Sequence, residues 1–478
     1  MAQVYEHGFD TPTPEIAIDD LPVQGRIPDW LTGTLLRNGP GTLRVGEQHY
    51  RHWFDGLSML HKFSFAGGRV AYANKFLDTH AYRAAQETGQ IAYSEFATDP
   101  CRSMFARVMA VFDPQISDNA KVSLARHADR YLALAETPIQ VEFDPETLQT
   151  VGVFAYEENP VGQTTTVHPH FDADNMYNLV TRYHRISHYR LYRVGAHSMP
   201  ERISNVPVKQ PSYMHSFGMS ERYFILTEFP LVVNPIALLL WLRPYIENFK
   251  WKPERGTHFW VLDRETGEVV ARFDSDPFFA FHHVNAFEDG DDLVVDIVAY
   301  PDDSVISAFY LNRLRDDASE IPFGNLRRYR LPLKGNTNGK RSRRHQHVSY
   351  ETISEVCMEL PRFDYARHNM RGDYRYVYAS SIHAQHWQGF YNQLAKVDIQ
   401  SQTAQTWYEA GCYPGEPVFV GAPNRTNEDD GVLLSVVLDA EQGKSFLLVL
   451  DAASLGEIAR AYVPQPILLG YHGDFFPA

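Results

Sequence analysis

The amino-acid sequence predicts an all-β protein, a closed array of short strands that a propeller fits better than a sandwich. Three observations lead there. Short apolar strands separated by polar turns run along the chain and long amphipathic helical patterns are scarce, which disfavours βαβ units and favours closed antiparallel sheets. Two segments echo each other: DRYLALAETP (Asp129 to Pro138) and ERYFILTEFP (Glu221 to Pro230) are each a polar turn, an apolar strand, then Glu and Pro. A third theme, a strand ending in Asp, a turn and a second strand, occurs four times.

Taken in order, these pieces read as parts of blades. Arg130 and Arg222 lie 92 residues apart, about two blades at roughly 45 residues each. The Asp-turn theme starts at Phe143 (FDPETLQTVGVF), Leu262 (LDRETGEVVARF), Val397 (VDIQSQTAQTWY) and Leu450 (LDAASLGEIARAYV). In the first three, a short polar turn between alternating strands predicts a hairpin. The number of blades is not readable from these echoes. No Gly/Ser-rich linker divides the chain, so residues 1–478 are expected to form one domain.

Composition narrows the function classes. The 478 residues carry 44 Lys+Arg against 59 Asp+Glu, a net charge of −15, with 44% hydrophobic residues. That is a folded globular chain without the basic footprint of a nucleic-acid binder. Three cysteines (Cys101, Cys357, Cys412) provide neither a disulfide framework nor a four-Cys zinc site, and they fit a reducing, cytoplasmic setting. The N-terminus, MAQVYEHGFDTPTPEIAIDD, lacks the basic and apolar regions of a signal peptide. No apolar run approaches the 20 or so residues of a membrane span. The strongest apolar stretch, Phe229 to Trp251, has its core at Ile236 to Leu242. It reads either as a buried element or as an interfacial patch (Ile236, Leu238, Leu239, Leu240, Trp241, Leu242), edged by Arg243, Lys250 and Lys252, giving a peripheral membrane contact. There is no G-x-S-x-G, Walker loop or H-E-x-x-H to support a hydrolase or nucleotide site.

The chain holds 21 histidines. Three share a context: His168 in TTTVHPHFDADNMYNLV, His215 in PSYMHSFGMSERYFILTE and His282 in FFAFHHVNAFEDGDDLVVDIVAY. Each precedes a polar turn and an apolar strand, so each is expected to end one strand before the next runs back. Equivalent strand ends in a propeller point to a common axis, where such residues would converge. His472, in LLGYHGDFFPA at the C-terminus, stands where a propeller closes its ring. A single strand His is more often a hydrogen-bonded structural residue than a ligand. Four together, without thiolate or carboxylate, suit iron, copper or zinc, zinc less well because its structural sites favour Cys. Spacing alone does not choose the metal.

These four contexts, with LLRNGPG (Leu35 to Gly41) and HWFDGLSMLHKFSF (His52 to Phe65), resemble the carotenoid cleavage oxygenase family from about Pro28 to the C-terminus. The N-terminal block, SDNAKV and EPVFVG are most similar to its animal carotene oxygenase and retinal isomerohydrolase branch. The resemblance implies a seven-bladed propeller with a helical and loop cap over one face, and Fe(II) held by four His. Matched motif by motif, the ligands are His168 rather than His170, His215, His282 rather than His283, and His472. His52 and His61 match positions that do not ligate and read as structural. Glu136 in ALAETP, Glu359 in CMELPRFD and Glu416 in YPGEPVFV match the three glutamates that accept hydrogen bonds from the ligand imidazoles. Val122 matches a residue crowding an open iron position, and Phe54 is a candidate for the substrate tunnel. Physical chemistry supports the glutamates independently, because a ligating His needs an acceptor for its other N–H.

The implied reaction is oxidative scission of a C=C bond of a carotenoid or apocarotenoid. Dioxygen is the cosubstrate, two carbonyl products form, and the substrate is a small apolar polyene. The alternative on the same fold is a stilbene-cleaving oxygenase, whose branch uses a Lys near the Val122 position and a Tyr on the substrate phenol. Lys121 is adjacent, but on a strand it would face away from Val122, and no matching Tyr is identified. An isomerohydrolase reading is weaker. A non-catalytic propeller scaffold predicts no bound iron.

Overall fold

The computed structural model describes residues 6–10, 13–100, 116–154, 160–196, 198–239, 243–316, 320–333, 346–387 and 389–478, the side chains of Asp10 and Leu239 excepted. Among them are seven sheets of four to six strands and two two-stranded ribbons. The seven sheets are the blades of a β-propeller. We number them by chain position, blade 1 being built on Ser123–His127 and its three successors.

The central strands of a blade are covered on both faces by neighbouring blades. Their sequences are therefore continuous apolar runs rather than alternating ones. Lys444–Asp451 of blade 6 (KSFLLVLD) is buried from Ser445 to Leu450. By contrast, Thr403–Tyr408, the edge strand of blade 5, is exposed over its first four residues.

The two echoing segments are the second strands of blades 1 and 3, Arg130–Leu134 and Tyr223–Glu228, so the 92-residue interval is two blades. All four Asp-turn segments are hairpins. In each, the Asp side chain accepts backbone N–H groups two or three residues on, which is the local bonding that favours Asp at turns. Each turn then needs one residue at positive φ: Leu148, Gly267, Gln402 and Leu455. Only Gly267 adopts it without strain, and a Cβ there would also lie 1.9 Å from the Ile203 carbonyl oxygen.

Both ends of the chain close the ring. Gly473–Pro477 pairs with Gly33–Thr42 in blade 7. Val23–Gly25 pairs with Glu457–Val463 in blade 6. This stitching makes blade 7 a composite of the first and last strands, and it fixes His472 beside the axis.

Insertions between blades and between strands of one blade carry the helices. The helix His80–Thr88 is capped by Thr79, which accepts from Tyr82 N at 3.1 Å, and by Gly89 at φ 64°. The ribbon Leu231–Val233 with Phe249–Trp251 brackets the short helix Pro235–Leu239. Among the described residues the two flanks of the apolar 229–251 stretch are core: Phe229, Leu231, Val232, Val233, Ile246 and Phe249 are buried. Ile236 is 57% exposed at the tip, while Leu238 turns toward the internal cavity. Leu240, Trp241, Leu242 and the Leu239 side chain lie outside the described residues. No described helix is long and apolar enough to cross a membrane. Cys357 and Cys412 are free and buried; Cys101 lies outside the described residues.

Candidate metal centre

Each blade sends one of the seven singled-out residues to the axis. Blades 2, 3, 4 and 7 supply His168, His215, His282 and His472; blades 1, 5 and 6 supply Glu136, Glu359 and Glu416. The histidines do not end strands, contrary to the sequence expectation. Each lies one to three residues before a strand at its blade's inner end: His170–Phe171, Gly218–Met219, His283–Asp289 and Gly473–Pro477. Two of those strands are only two residues long, too short to carry an alternation signal. The polar turn visible in the sequence follows the strand, and the His precedes it. Convergence on the axis holds all the same.

One nitrogen from each of the four rings lies within 4.8 Å of the others. His168 Nε2 is 3.2 Å from His215 Nε2, and His282 Nε2 is 3.3 Å from His472 Nε2. The opposite nitrogens of three rings meet carboxylates. His215 Nδ1 donates to Glu136 Oε1 at 2.8 Å, His472 Nδ1 to Glu416 Oε1 at 2.9 Å, and His282 Nδ1 to Glu359. A proton on Nδ1 leaves Nε2 with a lone pair, so three acceptor nitrogens are turned toward one another. Burial reinforces the neutral form. It pushes His472 down to about 4, holds His215 below its ordinary value, and holds His168 far below it, the other three rings adding to the effect for His168. Converging lone pairs in a buried pocket repel one another unless a cation lies between them. The donor set thus fits a divalent metal, with all-nitrogen ligation suited to iron, copper or zinc.

The carboxylates are themselves held. Tyr213 Oη donates to Glu136, and Tyr300 Oη donates to Glu359. Leu360 N donates to Glu359 Oε1 at 3.0 Å, with Leu360 in the left-handed region at φ 53°. Glu416 accepts Gly473 N at 2.8 Å and has Arg37 at 3.6 Å and Arg362 at 3.8 Å. Arg362 and His472 bring its carboxyl to about 2 against the opposing effect of burial. Tyr213, Tyr300, Arg37 and Arg362 were not singled out from sequence. All four lie inside segments quoted for other residues: Arg37 in LLRNGPG, Tyr213 two before His215, Tyr300 at the end of the His282 segment, and Arg362 three after Glu359.

Bonding also separates each candidate from its neighbour. His170 Nε2 donates to Phe217 O at 2.7 Å, and its Nδ1 meets Tyr365 Oη. His283 binds Ser216 Oγ and Thr227 Oγ1 through its two nitrogens. Neither has a nitrogen left for a metal. His52 (to Ile306 O and Phe54 N) and His61 (to Tyr72 Oη) are likewise engaged within the protein.

A cavity of about 160 Å³ opens onto His215, His282 and His472. Phe54 lines it and packs against Phe96 and Phe281 at 5.3 and 5.4 Å between ring centroids. Val122 lines it too. So does Lys121, which overturns the expectation that it faces away: the strand begins at Ser123, so residues 121 and 122 do not alternate as strand neighbours.

A seven-bladed propeller whose axis carries four converging imidazoles, three of them oriented by carboxylates, defines a protein with a four-histidine cluster that could hold a metal ion beside a mainly apolar cavity. The profile of the retinal pigment epithelial membrane protein (RPE65) family matches residues 9–477. The chain is 34% identical to the beta,beta-carotene 15,15'-dioxygenase of Gallus gallus, over 95% of each chain. It is 35% identical to the carotenoid isomerooxygenase of Galleria mellonella, over 95% of this chain and 93% of that one. The crystal structure of cobalt-substituted Synechocystis ACO superposes with a TM-score of 0.88 at 26% identity, covering 99% of this chain and 98% of that one. The chain belongs to the RPE65 family, the carotenoid oxygenases, and its likeness to animal members runs nearly end to end.

Proposed function

We propose that the four histidines hold one Fe(II) ion and that the chain is a dioxygenase cleaving a C=C bond of a carotenoid or apocarotenoid, giving aldehyde or ketone products. The observation that carries this reading is the pairing of three Nδ1–H groups with three carboxylates, two of them fully buried, which points three Nε2 lone pairs at one spot. The relatives support the substrate class, being named a beta,beta-carotene dioxygenase and a carotenoid isomerooxygenase. The cobalt-substituted relative supports a divalent metal.

Iron(II), when bound, supplies the redox chemistry that lets dioxygen react with a closed-shell polyene. The chain's residues supply the rest. Glu136, Glu359 and Glu416 keep the Nδ1 protons in place and fix the ring directions. Tyr213 and Tyr300 hold two of those carboxylates in position. The aromatic wall of Phe54, Phe96, Phe281 and Phe309 excludes water and offers flat apolar faces to a conjugated chain. Val122 takes up space on the same wall and restricts what approaches the centre.

The test is product mass. Iron-loaded protein incubated aerobically with a panel of carotenoids and apocarotenoids is expected to yield paired carbonyl fragments whose masses name the bond cut. Intact substrate throughout the panel would refute the reading. The position of Lys121 on the cavity wall favours the stilbene reading as the second one, and fragments from hydroxystilbenes alone would select it.

A further inference from the structure

The cavity surface is mainly apolar, and one of its polar patches, away from the histidines, is fully built from buried side chains. Lys121 and Glu95 both line it, and both side chains are buried, at 5% and 6% exposed. They form an ion pair through Lys121 Nζ and Glu95 Oε2. The other carboxylate oxygen, Glu95 Oε1, accepts Ser117 Oγ at 2.8 Å and Asn119 Nδ2 at 3.2 Å, and both of those residues line the cavity as well. The two partners of the pair are thus unequally satisfied. The carboxylate has three donors. The ammonium has three N–H groups to give, and among the described residues its one hydrogen-bond partner is Glu95. A buried charge in a hydrophobic chamber is costly unless its bonding capacity is used. A hydrocarbon cannot use it, whereas a carbonyl or hydroxyl oxygen can.

We propose that Lys121, held by Glu95, is a binding subsite for an oxygen atom of the substrate, so that the cavity selects a polyene bearing a carbonyl or hydroxyl group over a pure hydrocarbon. The proposal rests on the cleavage reading only in placing the polyene in this chamber. The ammonium donates to the substrate oxygen; Ser117 and Asn119 fix the carboxylate that fixes the ammonium. Lys121 is a specificity residue in this account, with no part in bond cleavage.

The test separates binding from turnover. Metal-free protein is titrated with apo-8'-carotenal and with β-carotene in the same detergent, following quenching of tryptophan fluorescence, since Trp53 lines the cavity. The wild type is expected to bind the aldehyde about tenfold to a hundredfold more tightly, the range of one hydrogen bond to a charged group. Lys121→Met alone would strand a buried carboxylate, so the double variant Lys121→Met, Glu95→Gln is the main probe. It is expected to lose the preference and to bind β-carotene as well as the wild type does, or better. Lys121→Arg, which keeps the donors, is expected to retain at least part of the preference. With iron-loaded protein, the double variant is expected to raise KM for the aldehyde relative to KM for β-carotene. Equal wild-type affinity for the two polyenes would overturn the proposal, as would a preference that survives in the double variant or tighter binding of a hydroxystilbene than of the aldehyde. A Lys121-dependent preference in a protein that cleaves neither polyene would uphold the subsite and refute the cleavage reading instead.

Discussion

Glu359→Gln is the most informative single change at the centre. Glu359 is buried at 2% exposure and receives His282 Nδ1, Tyr300 Oη and Leu360 N. Glutamine keeps the shape. Its amide oxygen can still accept from His282, and its NH2 can donate to Tyr300 Oη once that hydroxyl turns. What disappears is the charge. Hydrogen bonds to charged groups contribute about 1.5–3 kcal/mol and neutral ones about 0.5–1.5 kcal/mol, so the His282 bond weakens by about 1–2 kcal/mol. Loss of the nearby negative charge adds to this when a dication is bound. The sum corresponds to about tenfold to a hundredfold weaker metal binding, the usual effect of removing a partner of a ligating His. The assay is Fe(II) competition with a chromophoric chelator under anaerobic conditions, with thermal melts of the metal-free protein alongside. Melting temperature is expected to change less than metal affinity, because the amide oxygen keeps the His282 and Leu360 donors paired. Metal affinity within twofold of the wild type would refute the claim that this carboxylate orients His282 toward a cation.

Further outcomes follow from the surrounding structure. Burial holds His52 and His61 down to about 3, so both stay neutral in the fold where the unfolded chain takes up protons below about 6.5. Their contribution is therefore present above pH 6.5 and is lost as pH falls toward the folded value. Denaturant titrations of metal-free protein are expected to lose about 1.4 kcal/mol per pH unit for each histidine between pH 6 and 4; a flat profile there would contradict their burial as neutral rings. A Cβ on Gly39 would lie 2.8 Å from Gly470 Cα, and Asn38 N bonds His472 O at 2.9 Å. Gly39→Ala is expected to push the 470–472 segment away, with about 1–3 kcal/mol lost in stability and weaker metal binding. Unchanged chelator competition would show that His472 is not positioned by this close approach.

How much of this was legible in the sequence depended on the length of the signal. The hairpins after Asp144, Asp263 and Asp398 were readable because turn chemistry is local, and the one after Asp451, not predicted as a hairpin, uses the same Asp turn. The convergence of His168, His215 and His282 was readable from a repeated context and that of His472 from its place at the ring-closing end, and choosing His168 over His170 took the family resemblance. The structure supplies the physical reason for that choice: His170 and His283 spend both nitrogens on protein partners. Which side of its strand His168 and His215 occupy was misread because the inner strands His170–Phe171 and Gly218–Met219 are two residues long. The facing of Lys121 was misread because the strand starts two residues later, at Ser123. Glu136 and His215 meet from blades 1 and 3, a contact created by ring closure that no sequence interval encodes.

The central claim is that four imidazoles, and no carboxylate, hold the metal. Iron K-edge X-ray absorption of the anaerobically reconstituted protein tests it most directly. The account predicts about one iron per chain, with scattering from four histidine rings and no carboxylate in the coordination sphere, and no bound iron in His282→Ala. Fewer imidazoles around the iron, a carboxylate bound to it, or full iron content in the variant would contradict it.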